Sequence, residues 1–285
     1  HLDRSNSASQ QWLREESGID PLACEALLAE ETRPRAAARK GGLLVSLRGV
    51  NLHPGADPEA RVSVRMWLEG RRAITVRHQR LMAVQDVRES LDEGQGPHDS
   101  ADLLVRIGAR LIDRIGPVVD ELDEAVDDIE EQVLTARGHE LRSRLADLRR
   151  QAIALRRHIA PQRDAMSQLQ REDADWITPL HRARLREIGD RTIRYVEDLD
   201  AARERAAVTH EELLGRLSEQ MNRTMYLLSI VAAVFLPLGL LTGLLGINVA
   251  GIPFAEARWA FGVVCAALVV VAAVEIYLFR RLKWL

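Results

Sequence analysis

Cysteine is nearly absent from this chain of 285 residues: Cys24 and Cys265 are the only two, and neither belongs to a Cys-X-X-Cys pair. That excludes a disulfide framework and a zinc-thiolate centre, and it fits a reducing compartment for the larger part of the chain. Lysine is just as scarce, Lys40 and Lys283 among 39 basic residues, which reflects genome composition rather than function. Positive charge is not in excess either. Residues 224–285 hold Arg258, Arg280, Arg281 and Lys283 against Glu256 and Glu275, net +2, which leaves 35 basic and 40 acidic residues, net −5, for residues 1–223. No nucleic-acid partner is implied. The N-terminal segment is polar, so no secretory signal peptide is expected there. His1 stands where a methionine would begin a chain, and a missing N-terminal piece is expected.

The decisive absence is of charge near the C-terminus. Thr224 to Ala255 contains no Asp, Glu, Lys, Arg or His, and Trp259 to Phe279 contains only Glu275. Both runs exceed the ~18 residues that mark a membrane-spanning helix. Two spans put both termini on one side. Arg223 before the first and Arg280, Arg281 and Lys283 after the second assign that side to the cytoplasm. Glu275, about one and a half turns inside Arg280, is expected to pair with it or with another basic side chain.

Residues 1–99 read as mixed α/β. Asp20-Pro21 opens a helix that ends before Pro34. Gly42 to Leu52 is a β-rich run, and Arg61 to Trp67 alternates polar and apolar up to Glu69-Gly70, after which Ala73 to Val76 resumes. This predicts a hairpin with one buried face. Leu81 to Val87 fits a strand or a short helix. From Ser100 the period becomes helical, and two long antiparallel helices meet around Gly138, with a kink or break possible at Gly116-Pro117 and an interruption at Pro161. Thr178-Pro179 supplies an N-cap and a proline at the first helical position. If Pro179 to Ile247 is one helix, it is roughly 100 Å long at ~1.5 Å per residue and becomes the first span.

These elements give an α+β cytoplasmic domain, a mixed α/β sandwich plus long helices, followed by two transmembrane helices. The expected division is 1–177 for that domain with its helical hairpin, 178–223 for a stalk, 224–248 for the first span, 249–258 for an external loop, 259–279 for the second span and 280–285 for a basic tail. Ala232, Gly239, Gly243 and Gly246 fall near one helical face and permit close helix approach, which simple packing also explains. No GxSxG, P-loop, HExxH or nucleophile constellation occurs, so no enzyme and no cofactor is expected.

The first span ends Gly246-Ile247-Asn248, a short loop follows, and the chain closes on Arg280-Arg281-Leu282-Lys283. In this the chain resembles the CorA-type metal ion transporter family, whose members carry Gly-X-Asn at the outer mouth of the first of two C-terminal spans. Gly-Ile-Asn, with Glu31-Thr32-Arg33-Pro34-Arg35 and Leu47-Arg48-Gly49-Val50-Asn51-Leu52, is similar to the ZntB zinc transporter branch.

The resemblance implies a funnel-shaped homopentamer in a bacterial inner membrane, surrounded by lipid, with five copies of the long helix lining one pore. It implies a ring of Asn248 amides at the outer mouth, beside Gly246 and Ile247, meeting a divalent cation, zinc foremost and still hydrated, through carbonyl dipoles. Magnesium, cobalt or nickel is the alternative cargo. Stepping back from Gly246 gives pore positions Gly243, Gly239, Leu236, Ala232, Leu228 and Met225. Leu228 and Met225 form a dewetting gate or merely pack against a neighbour. His210, Glu211 and Glu212 offer a cytoplasmic cation site or a solvated stalk face, and Asp120 to Glu131 forms an acidic face that is normally only solvated. A membrane-anchored sensor or scaffold is the reading from another class.

Overall fold

The computed structural model describes residues 1–30, 33–50, 62–135, 139–246, 257 and 259–281, with the side chains of 134, 135 and 139 left aside. The described chain forms two compact units, His1–Leu213 and Leu214–Leu285.

The first unit is built on a five-stranded sheet of order β1-β5-β4-β3-β2, from β1 (Leu2–Asp3), β2 (Arg35–Arg39), β3 (Gly42–Gly49), β4 (Val62–Leu68) and β5 (Ala73–Arg77). β1 runs parallel to β5 and every other pairing is antiparallel. Glu69 and Arg72 exchange backbone hydrogen bonds across Gly70-Arg71, which makes β4 and β5 the expected hairpin. Its predicted single buried face is corrected, because β4 is buried almost throughout. On one side Leu44, Trp67, Ile74 and Val76 pack with Leu13 of α1 (Ser7–Glu15) and Ala23, Cys24 and Leu27 of α2 (Pro21–Leu28). The other side receives α4 (Ser100–Thr135) and α5 (His139–Arg171), which contact β2 and β3. Polar Arg65 lies under α2 and not in solvent, at 4% exposure.

α3 (Met82–Asp92) settles the open segment after β5 as helix and packs on α4. α1, β1 and β2 carry no strong signal in the sequence. β2 reads Arg-Ala-Ala-Ala-Arg, without the branched residues that favour strands, and owes its place to pairing with β3 across Lys40-Gly41, where Gly41 takes φ 93°. The interruption expected at Pro161 does not occur, and α4 likewise runs through Pro117. A proline inside a helix costs ~3 kcal/mol or more. Around each, packing offsets that cost through Ile115, Val119 and Leu122 on α4 and Ile159, Gln162, Ala165, Met166 and Leu169 on α5, all buried.

α6 spans Pro179–Leu245, 67 residues without interruption. Its start follows the predicted cap: the His181 N–H donates to Thr178 Oγ1 at 3.3 Å. The second unit holds the last part of α6 and α7 (Ala260–Arg281), and both helices are long and apolar enough to cross a membrane. This is the α+β fold with two C-terminal spans expected from the charge pattern.

Candidate functional site

At about 100° per residue, the positions Met225, Leu228, Ala232, Leu236, Gly239, Gly243 and Gly246 lie within about 40° of one line along α6. All seven are exposed, Leu236 at 73%. The half-buried positions Ile230, Ala233, Val234, Pro237, Leu238 and Leu241 centre on the opposite side of the same helix. α7 answers with its own half-buried stripe at Val264, Leu268, Val271, Ala272, Glu275 and Phe279, spaced by three or four. The second unit therefore uses one face of α6 for its own packing and leaves the small-residue face uncovered. A β-carbon at Gly239 or Gly243 would meet nothing within 4 Å.

The end of this stripe is a tightened turn, in which the Gly246 N–H reaches the carbonyls of Thr242 at 2.9 Å and Gly243 at 3.2 Å. A bifurcated bond of this kind is common where a helix stops. Ile247 and Asn248 lie outside the described residues, as do Glu256, Arg258 and Lys283. Thr242 and Ser229 turn their hydroxyls back to carbonyls of their own helix, Thr242 to Leu238 at 2.9 Å and Ser229 to Met225 at 2.8 Å.

Glu275 differs from its expected pairing. Its Oε2 is shut off from solvent and has no hydrogen-bond partner, and no ion pair to Arg280 forms among the described residues. Its position on the packing stripe of α7 accounts for this: the side chain is directed by the helix period and not toward the basic end of α7. Periodicity analysis of the second span would have placed it there.

On the stalk part of α6, His210 is half-buried while Glu211 and Glu212 are exposed. No three His, Cys, Asp or Glu side chains come together as a metal site among the described residues. The acidic face of α4 is more than solvated. Arg205 pairs with Asp123 and Asp127 and lies 3.8 Å from Glu130, which also accepts from Thr209 at 3.2 Å. Nearby, desolvation and the carboxylates of Asp123, Asp120 and Glu197 push the Asp198 carboxyl above its usual range.

A family model for CorA-like Mg2+ transporter protein matches residues 1–281. The chain is 42% identical over 287 residues to the divalent cation transporter CmaX of Pseudomonas aeruginosa, covering 100% of this chain and 86% of that protein. It is 37% identical over 285 residues to the zinc transport protein ZntB of Pectobacterium carotovorum, covering 100% and 87%. The structure superimposes on full-length CmaX with a TM-score of 0.86 at 41% identity, over 100% of this chain and 88% of the other.

Proposed function

Because the chain belongs to the CorA-like Mg2+ transporter family, we propose that it moves divalent cations, zinc foremost, across a bacterial inner membrane through a pore made by five copies of α6. The observation that carries this reading is the uncovered stripe from Met225 to Gly246, opposite the face the chain packs for itself. One such helix cannot enclose a path, so symmetry must supply the remaining walls. Arg280 and Arg281 at the end of α7 support a cytoplasmic C-terminus.

Asn248 is the cation-selecting residue in this reading. Five amide carbonyls hold a hydrated ion without the tight binding of a carboxylate ring, so the ion is released inward. No His, Cys or carboxylate occurs between Arg223 and Glu256, and zinc therefore passes with much of its water shell. Leu228 and Met225 make the narrow apolar ring, and His210 with Glu211 offers a cation site on the cytoplasmic side. Relatives named for zinc and for divalent cations in general favour a second cargo set, in which cobalt, nickel or magnesium is also carried.

Flux into proteoliposomes tests both readings. Asn248→Ala should lower zinc flux by about tenfold or more, since one interaction with a charged group is worth ~1.5–3 kcal/mol. Zinc flux unchanged in Asn248→Ala would refute the site, and magnesium moving faster than zinc in the unmodified protein would refute zinc as the principal cargo.

A further inference from the structure

Between Thr224 and Thr242 the chain has two polar side chains, Tyr226 and Ser229. Tyr226 lies about 100° around α6 from Met225, away from the uncovered line. Ser229 belongs to that line. Steps of three and four, taken alternately back from Gly246, reach Gly243, Gly239, Leu236, Ala232, Ser229 and Met225. This spacing keeps one seam turned toward the axis of a left-handed bundle. Leu228 comes one residue earlier, about 1.5 Å along the helix and on the other flank of the seam.

Ser229 is exposed in the single chain, and its hydroxyl donates to Met225 O at 2.8 Å. A serine hydroxyl has one proton to give and two lone pairs to offer. With the proton committed to the carbonyl of its own helix, the outward oxygen can only accept. The species it suits is a hydrated cation, whose bound waters present hydrogens. An anion presents lone pairs and gains nothing there.

The consequence rests on the five-copy pore reading above. At one level of such a pore each α6 contributes Leu228 on one flank and Ser229 on the other, so isobutyl groups and hydroxyls alternate around the ring. A wholly apolar constriction closes by losing its water, and acceptors set between the leucines hold that water in place. We propose that Ser229 keeps the inner constriction wet, its five hydroxyl oxygens receiving hydrogen bonds from the water shell of a divalent cation roughly 26 Å inward of Gly246.

Zinc flux into proteoliposomes, with native mass spectrometry of the same preparations, tests this. Ser229→Ala should assemble as the unmodified protein does and conduct about tenfold more slowly. Ser229→Cys should be blocked by an impermeant cationic methanethiosulfonate, while Ile230→Cys, on the half-buried packing face, should conduct as before. The unmodified protein, with Cys24 and Cys265, gives the background for both. Unchanged flux in Ser229→Ala, or block of Ile230→Cys as complete as that of Ser229→Cys, would overturn the assignment of Ser229. Either result leaves the pore itself standing wherever Asn248→Ala still lowers flux, and loss of the Asn248 effect as well would remove the pore reading on which the assignment rests.

Discussion

Arg65 is buried with no carboxylate beside it among the described residues, and burial first, then Arg4 and Arg35, lowers its guanidinium to about 10. Carbonyls replace the missing counter-ion. Its Nη1 donates to Leu27 O at 2.8 Å and to Ala29 O, and Nη2 reaches Glu30 O at 3.3 Å, all at the C-terminal end of α2 where the helix dipole is negative. Arg4 donates to the same Ala29 carbonyl at 2.8 Å. Arg65→Met keeps the unbranched first part of the side chain and removes all its donors. It should destabilise the protein by about 1–3 kcal/mol, because the buried Leu27 carbonyl loses its Arg65 donor while Ala29 keeps Arg4, and the relieved desolvation of the charge offsets part of the total. Thermal unfolding of the two proteins in one detergent measures this, and an equal or higher midpoint for Arg65→Met would disprove the clamp.

α5 is more than a cover for the sheet. β2 is an edge strand, and its Ala36 N–H is met by Gln168 Oε1 at 3.2 Å, while the Arg48 N–H at the end of β3 is met by Gln162 Oε1 at 2.8 Å. Both acceptors come from one helix, six residues apart and less than two turns along its axis. An unpaired strand edge invites pairing with another chain, and these glutamines occupy it. Gln162 is fully buried. Gln162→Leu should therefore cost about 1–3 kcal/mol by leaving the Arg48 N–H without a partner, and backbone hydrogen exchange at Arg48 should rise with it. Unchanged exchange would mean that another group takes the bond. On α4, Gly116 has a comparable positional reason, since a β-carbon there would lie 2.6 Å from the Tyr195 hydroxyl of α6.

For the molecule as a whole, the uncovered stripe of α6 separates what one chain needs from what an assembly needs. A Gly239→Leu side chain enters open space in the single chain and should leave helix content and insertion intact. In the proposed pentamer it occupies the line where helices approach each other, so native mass spectrometry should show loss of that assembly and liposome flux should fall with it. A Gly239→Leu protein that stays pentameric and conducts normally would place the copies on some other face.

The apolar runs after Thr224, the proline-capped start at Thr178, the hairpin around Gly70 and the heptad line from Met225 to Gly246 were all legible in the sequence, because each depends on local period, local charge or one turn. The family was legible too, through Gly246-Ile247-Asn248 and the positions of the spans. Tertiary structure alone decided that Arg65 is inside, that β2 is a strand, that Pro117 and Pro161 remain within helices and that the small-residue stripe lies opposite the packing face. These depend on what approaches from distant parts of the chain: α2 carbonyls over Arg65, β3 beside β2, and packing dense enough around each proline to offset a lost backbone hydrogen bond. Local pattern says which face of a helix is apolar, and only packing within the chain says which of its faces is left for another copy.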